Sequence, residues 1–121
     1  MYMSLRKKTS INLQNEEALK EGCPFNYTLF LIGKRWKPVI IWKIKEGYTR
    51  FGDFKREIPL ISEKMLTQHL RELEVDGFIT RTVYPETPLR VEYSLTDFGK
   101  SILPVLQALH NWGEWAIETK K

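Results

Sequence analysis

Four polar side chains between residues 64 and 71 are of the types that read the edges of DNA bases. They are Lys64, Thr67, Gln68 and Arg71. Residues three and four apart are neighbours on the surface of a helix, so this spacing collects all four on one helical face. Glutamine can pair with adenine through two hydrogen bonds, arginine and lysine can pair with guanine, and the threonine methyl group can touch the methyl group of thymine. The pattern favours direct contact with the DNA major groove.

The segment that carries these side chains is predicted to be a helix over residues 62–76. Ser62 is a residue type that caps helix N-termini, and Gly77 can adopt the left-handed conformation that ends a helix. The opposite face is apolar, and its residues are Met65, Leu66, Leu70 and Leu73. An ordinary solvated surface helix shows the same two faces, so this segment alone leaves open whether the polar face contacts DNA.

A second helix is predicted directly before it, over residues 51–58. Phe51, Phe54 and Ile58 recur at helical spacing, and Pro59 ends the segment because proline cannot continue the backbone ladder. Only residues 59–61 separate the two helices. So short a connection packs helices closely, which is the arrangement that projects a second helix into the major groove. The two segments together predict a helix-turn-helix.

After Gly77 the period of the sequence changes to two. Apolar and polar residues alternate toward residue 95, so residues 79–95 are predicted to be a β-hairpin with a proline-bracketed tip at 85–88. Arg81 and Arg90 make this hairpin positively charged. It either contacts DNA as a wing or simply covers the core. The predicted fold is mainly α with a small antiparallel β-hairpin wing, a winged helix-turn-helix that dimerises through its terminal helices.

An ordered series of short motifs resembles the HxlR-type family of bacterial winged helix-turn-helix transcription regulators, within the MarR-like superfamily. The motifs are Cys23-Pro24, Gly33-Lys34-Arg35-Trp36, Arg50-Phe51, Ile61-Ser62-Glu63-Lys64-Met65-Leu66, Leu70-Arg71-Glu72-Leu73-Glu74, Asp76-Gly77, Arg81-Thr82-Val83-Tyr84-Pro85-Glu86, Val91-Glu92-Tyr93-Ser94-Leu95-Thr96 and Gly99. The resemblance implies a cytoplasmic bacterial homodimer that binds a roughly palindromic operator and regulates a nearby gene. It also implies that residues 62–76 form the recognition helix and residues 79–95 the wing.

The expected DNA contacts fall into two groups. Lys64, Gln68 and Arg71 are expected to read bases, because they point outward on the recognition helix. Ser62 and Arg90 are expected to hold the DNA backbone, because helix N-termini bind phosphate and Arg90 lies on the wing.

The N-terminal part of the chain divides into a basic segment and two apolar ones. Residues 1–14 are polar and basic, which predicts a flexible arm in front of a single domain over residues 15–121. Two apolar helical segments then lead up to Gly47 and are expected to form the core behind the helix-turn-helix. Lys34 and Arg35 lie between these segments and either cap a helix or contact a phosphate.

The C-terminal segment, residues 96–118, is predicted to be a helix with more apolar surface than its own domain needs. The surplus residues are Leu103, Leu106, Leu109, Trp112 and Trp115. Large apolar patches on soluble proteins usually mark partner surfaces, so these residues predict a homodimer interface. Pro104 would cost about 3 kcal/mol in a helix interior, so we expect either a kink there or a first turn that begins after Thr96.

Cys23 is the single cysteine, and it occupies a Cys-Pro position that some HxlR-type regulators use to sense oxidants or electrophiles. A thiol just ahead of a helix meets the positive end of the helix dipole, which favours the reactive thiolate. The alternative is an inert, partly buried cysteine that packs like a small apolar residue. Sensing would require a link between two Cys23 residues, a mixed disulfide with a small thiol, or direct alkylation.

Composition narrows the classes of function. A chain of 121 residues forms one domain, and its formal net charge of +4 suits a polyanionic partner. Cys23, His69 and His110 lack the spacing of a metal site. The sequence holds no recognisable phosphate loop, zinc-protease helix or activated nucleophile, so neither an enzyme nor a cofactor is predicted.

The expected partners are double-stranded DNA, a second copy of the chain, and an oxidant or small-molecule effector. No segment resembles a signal peptide and no apolar run is long enough to span a bilayer, so we expect a cytoplasmic protein without a membrane partner. The main alternative is a winged-helix module that binds other proteins. Such a module would keep the core and the hairpin but has no need for the four polar residues on the recognition helix.

Overall fold

The computed structural model describes the backbone of residues 10–121 and the side chains of residues 16–121. Helices and strands follow one another in the order α1 (Ser10–Glu21), α2 (Pro24–Ile32), α3 (Lys37–Lys45), α4 (Phe51–Glu57), α5 (Glu63–Val75), β1 (Ile79–Tyr84), β2 (Arg90–Leu95), α6 (Asp97–Ser101) and α7 (Leu103–Thr119). The predicted class, mainly α with a small antiparallel hairpin, is confirmed.

The N-terminal segment differs from the expected flexible arm. Helix α1 begins at Ser10, so residues 10–14 of the predicted arm are helical, and residues 1–9 of it lie outside the described residues. The polar character of the segment suggested an arm. The second half of α1, however, is rich in good helix formers such as Glu16, Glu17 and Ala18, which support a helix without an apolar stripe.

The core lies between α3, α5 and the hairpin. Its buried apolar residues are Leu31, Ile32, Ile40, Ile41, Ile44, Phe54, Ile58, Ile61, Leu66, Leu70, Leu73, Phe78, Ile79, Tyr93 and Leu106. Helix α5 supplies Leu66, Leu70 and Leu73 to this set. These are the three leucines predicted for the inner face of the recognition helix, and all are buried. Met65, predicted beside them, is instead exposed. This apolar face anchors α5 and turns its opposite face toward solvent.

The turn between α4 and α5 fixes where the recognition helix starts. Ile58 closes α4 by donating its backbone N–H to the Phe54 carbonyl at 2.8 Å. Ile61 then buries its side chain in the core, and its carbonyl accepts a hydrogen bond from Lys55 Nζ at 2.5 Å. Ser62 caps α5, since its Oγ accepts from the Met65 N–H at 3.0 Å. The predicted helix-turn-helix is confirmed.

The hairpin is attached to the rest of the domain by backbone hydrogen bonds. Its two strands pair antiparallel from Ile79 opposite Leu95 to Tyr84 opposite Arg90. The backbone N–H of Tyr93 also donates to the Thr49 carbonyl at 2.9 Å, just before α4. At the end of α5, Gly77 adopts a φ of 88°, the left-handed conformation that the sequence predicted for a glycine there.

The C-terminal segment is two helices rather than the one predicted over residues 96–118. Thr96 does cap a helix, because its Oγ1 accepts from the Gly99 N–H at 2.9 Å, but this helix, α6, ends at Ser101. Helix α7 starts at Leu103, which places Pro104 in its first turn. The missing N–H of proline costs nothing there, since the first N–H groups of a helix have no partner within it. Pro104 therefore lies at the beginning of a separate helix, α7.

Candidate DNA-binding surface

Helix α5 presents the predicted base-reading residues on one exposed face. Lys64, Thr67 and Gln68 are exposed, as is Arg71 one turn further on. They lie opposite the buried leucines, so the core holds the helix without covering this face. The structure therefore brings together the four residue types that can pair with base edges in a major groove.

Ser62 stands at the exposed N-terminus of the same helix. Its hydroxyl oxygen accepts the Met65 N–H, so the side chain is engaged in capping the helix. A hydroxyl group has one hydrogen to donate in addition, and the first backbone N–H groups of a helix point outward. The expected phosphate contact at Ser62 is compatible with this geometry.

Arg90 lies on β2, but its guanidinium group is engaged within the hairpin. Its nitrogens lie 2.9 Å from Glu86 Oε2 and 2.6 Å from Glu92 Oε2. The group also stacks over the Tyr84 ring, 3.7 Å from its centre. The hydrogen bond from Arg90 lowers the pKa of Glu86. This use of Arg90 differs from the expected phosphate contact, whereas Arg81 on β1 is exposed.

An ion pair between a buried lysine and a half-buried glutamate, behind the recognition face, was not predicted. Lys37, the first residue of α3, is buried, and its Nζ lies 2.8 Å from Glu72 Oε1. Burial of Glu72 disfavours ionisation, but the hydrogen bond and charge of Lys37 outweigh it and lower the pKa of this carboxyl. The other oxygen, Oε2, accepts from Gln68 Nε2 at 3.2 Å.

His69 completes this cluster and was also missed as a core residue. It is buried, and its Nδ1 lies 3.7 Å from Glu72 Oε1. Burial and then the charge of Lys37 lower the pKa of His69, so the imidazole is neutral near pH 7. Its position three residues after Leu66 and one before Leu70 lies on the apolar stripe, and that spacing could have identified it.

The loop before α3 carries two exposed cations. Arg35 stacks its guanidinium group over the Trp36 ring, 4.4 Å from the ring centre, and Lys34 is exposed beside it. The backbone N–H of Gly33 donates to the Leu29 carbonyl at 2.7 Å and so closes α2. The end of α2 is thus capped by backbone, and the phosphate role stays a prediction for both cations.

The predicted dimer residues separate into two groups. Leu106 is buried and Leu103 is half-buried, and both pack against the core of their own domain. The assignment of Leu106 to the interface is therefore corrected, whereas that of the half-buried Leu103 stays a prediction. Further along the helix, Leu109, Trp112 and Trp115 expose 54%, 66% and 60% of their surface. Helix α2 exposes apolar residues as well, Phe25 and Leu29 among them.

Cys23 is exposed at the start of α2. It occupies the N-cap position with an extended backbone, and its carbonyl accepts the Tyr27 N–H at 3.0 Å. Lys20, three residues earlier in the chain, has its Nζ 3.5 Å from Glu17 Oε1. Solvent reaches the thiol, as a reaction with a small oxidant requires.

Comparison with known proteins agrees with this geometry. The sequence model of the HxlR-like helix-turn-helix family matches residues 31–121. An uncharacterised HTH-type transcriptional regulator of Bacillus subtilis, YybR, is 46% identical over 95 residues, which are 78% of this chain and 76% of YybR. The regulatory protein MalR of Fusobacterium mortiferum, whose assignment is provisional, is 42% identical over 82% of this chain and 94% of MalR.

Solved structures give the same result. The redox regulator HypR in its reduced form is 41% identical, with a TM-score of 0.76 over 80% of this chain and 96% of HypR. The reduced form of the transcriptional regulator YodB from B. subtilis is 40% identical, with a TM-score of 0.66 over 77% of this chain and 92% of YodB. Within the residues that the structure describes, no helix has the length and apolar character needed to cross a bilayer. The chain belongs to the HxlR-like helix-turn-helix family of DNA-binding transcription regulators.

Proposed function

We propose that the protein represses transcription by binding a near-palindromic operator as a homodimer. The observation that carries this proposal is the exposed face of α5, where four residues suited to contacting base edges lie opposite a buried leucine stripe. Lys64, Gln68 and Arg71 read bases, and Thr67 touches a thymine methyl group. Ser62 and the N-terminus of α5 hold a phosphate.

The wing contributes to DNA backbone contact in this proposal. Arg81 is its exposed cation, whereas Arg90 forms ion pairs with Glu86 and Glu92 within the hairpin and so stabilises it. An arginine held between two carboxylates adds little net positive charge, so it attracts phosphate weakly. We therefore assign the phosphate contact to Arg81 and a bracing role to Arg90.

A gel-shift titration with random-sequence duplex DNA over a salt series tests for DNA binding. A protein that neutralises phosphates loses affinity steeply as salt rises, because bound counterions are released. We expect such a loss, with detectable binding at low salt. A winged-helix module that binds only proteins would give no shift at any salt concentration, and that result would reject the proposal.

The homodimer is proposed from the apolar faces of α7 and α2. Leu109, Trp112 and Trp115 on α7, with Phe25 and Leu29 on α2, expose more apolar surface than isolated surface residues would. A second copy with the same faces would cover them through a two-fold interface. Such symmetry sets the two recognition helices about 34 Å apart, one turn of DNA.

We further propose that oxidants or electrophiles release the protein from its operator through Cys23. The thiol is exposed at the start of α2, on the helix assigned above to the dimer interface, so a modification there is well placed to alter the dimer. Resemblance to the redox regulator HypR supports the idea. Diamide would accept two electrons from two thiols and leave either a Cys23–Cys23 disulfide or a mixed disulfide.

A Cys23→Ser variant tests this role. Diamide or a quinone should weaken operator binding by the native protein, and the Cys23→Ser protein should keep its affinity under the same treatment. Fluorescence anisotropy of a labelled operator, before and after treatment, gives the comparison. An identical response from both proteins, or none from either, would make Cys23 a structural residue.

A further inference from the structure

The ion pair between the buried Lys37 of α3 and the half-buried Glu72 of α5 is poorly explained by stability. Lys37 lies at the N-terminus of α3, where a cation faces the positive end of the helix dipole. Removing the Lys37 charge from water is expensive, and an apolar residue of similar volume often stabilises such a position at least as well. The pair is better explained by the geometry that it imposes on its neighbours.

The ion pair contacts Gln68, which lies one turn before Glu72 on the exposed face of α5. Glu72 Oε1 faces Lys37 Nζ at 2.8 Å, and its Oε2 accepts from Gln68 Nε2 at 3.2 Å. A carboxylate that is ionised beside a lysine can accept hydrogen bonds but cannot donate them. The Gln68 amide must therefore turn its nitrogen toward Glu72 and its carbonyl oxygen away.

We propose that Lys37 and Glu72 are positioning residues that hold the Gln68 amide in the orientation that reads adenine. The inference rests on the proposed function of α5. In this orientation Gln68 Oε1 is free to accept from adenine N6, and the second hydrogen on Nε2 is free to donate to adenine N7. Guanine offers acceptors at both N7 and O6, so its O6 would face another acceptor.

A glutamine without this support would be less selective. An exposed amide can rotate by half a turn and exchange its donor and acceptor, which lets it meet either kind of base edge. Loss of Lys37 and Glu72 should therefore broaden the base preference at one position without abolishing DNA binding. A role in stability alone would change all positions of the site equally.

Selection of bound duplexes from a randomised pool tests the proposal. The proteins compared are the wild type, Gln68→Ala, Lys37→Met with Glu72→Leu, and Glu72→Gln. The Gln68→Ala protein identifies the base pair that Gln68 contacts, because its preference flattens there. We expect the wild type to favour adenine over guanine at that position by about tenfold or more, and the double variant by about threefold or less.

One further variant, Glu74→Gln, serves as the control, and Glu72→Gln keeps the test decisive if the double variant does not fold. Glu74→Gln removes an exposed carboxylate from the same helix and should leave the selected site unchanged. The double variant leaves no unpaired buried charge. If circular dichroism shows that it does not fold, Glu72→Gln decides the result. An amide at residue 72 can donate as well as accept, so it no longer fixes the orientation of Gln68 and should broaden the preference too.

The possible results distinguish this inference from the proposed function. A wild-type protein that enriches no sequence would overturn both. If the wild type selects a site but the Lys37 and Glu72 variants keep the same adenine preference, only the positioning role is rejected. The same holds if the base favoured at the Gln68 position is not adenine.

Discussion

His69 is a histidine that the fold keeps neutral inside a basic protein. Burial is the largest cause of its lowered pKa, and the charge of Lys37 adds to it. Glu72 acts in the opposite direction, and Lys34 lowers the pKa further. The native imidazole therefore resists protonation at a pH where the unfolded chain already takes up a proton, since the usual pKa of histidine is about 6.5. Folding is consequently coupled to pH at this residue.

The free energy of unfolding should fall as the pH drops below about 6.5, because only the unfolded state binds the extra proton. The slope from this one group cannot exceed about 1.4 kcal/mol per pH unit. Urea denaturation between pH 7.5 and pH 5 measures it, and a His69→Gln protein should show a flatter dependence. His110→Gln serves as control, because His110 is exposed. Equal slopes for the wild type and His69→Gln would contradict the assignment.

For single residues of the recognition helix, the sequence predicted which side chains are exposed but not all of their contacts. The exposed positions of Lys64, Thr67, Gln68 and Arg71 followed from helical spacing, because an apolar stripe defines its opposite face. The partner of Glu72 could not be obtained in this way. Lys37 lies on another helix, far away in sequence, and helical spacing carries no information about contacts between helices.

At the scale of the elements, α6 packs closely against Phe78, which lies between the recognition helix and the hairpin. A Cβ atom added to Gly99 would lie 2.0 Å from the Phe78 carbonyl oxygen. That same carbonyl accepts the Thr96 N–H at 3.0 Å. Because both groups are backbone, neither can move aside as the end of a flexible side chain could. The end of α5 and the start of the hairpin are held in place by this contact.

A Gly99→Ala substitution should destabilise the protein by about 1–3 kcal/mol, as overpacking does. Gly52→Ala is the matched control, because the nearest atom to its added Cβ is Arg56 Nη1 at 3.6 Å, an ordinary contact with a flexible side chain. Alanine in a helix should leave stability unchanged or raise it by up to about 1 kcal/mol. Chemical denaturation at equal protein concentration compares them. Similar losses for both variants would show that the contact at Gly99 is unimportant.

The order of helices and strands was largely predictable from the sequence. Their predicted boundaries were wrong where two sequence signals, such as an apolar stripe and a proline, disagreed. The helix over residues 62–76 and the hairpin over 79–95 agree with α5 and the two strands, because caps, a glycine stop and a change of period all coincide there. The C-terminal segment was predicted as one helix because its apolar stripe continues through Pro104. The proline, which lies in the first turn of α7, was the more reliable signal.

At the scale of the molecule, residues 16–121 present two exposed surfaces of different character. The polar face of α5 and the exposed Arg81 suit DNA, whereas the far part of α7 is apolar, with Trp112 and Trp115 in contact at a ring separation of 6.3 Å. Tryptophan is enriched at the centre of protein interfaces. The separation of these surfaces permits a dimer to form through one of them while the other faces DNA.

Light scattering at micromolar concentration should report a dimer for the wild type and a monomer for a Trp112→Glu and Trp115→Glu double variant. Two carboxylates in the apolar interface would be desolvated without partners, which is costly. The control is Leu89→Glu, since Leu89 is an apolar residue with 62% exposure at the tip of the hairpin, and it should remain dimeric. A monomeric wild type, or a double variant as dimeric as the wild type, would reject the interface.

Sequence-specific recognition by the exposed face of α5 is tested most directly by the affinity of wild type and Arg71→Ala for two duplexes. One duplex carries the site selected by the wild type, and the other carries its bases in shuffled order. At one salt concentration the wild type should prefer the selected duplex by about a thousandfold or more. The Arg71→Ala protein should lose about 1–3 kcal/mol on the selected duplex and little on the shuffled one. Equal wild-type affinity for both duplexes, or equal losses on both, would contradict the account.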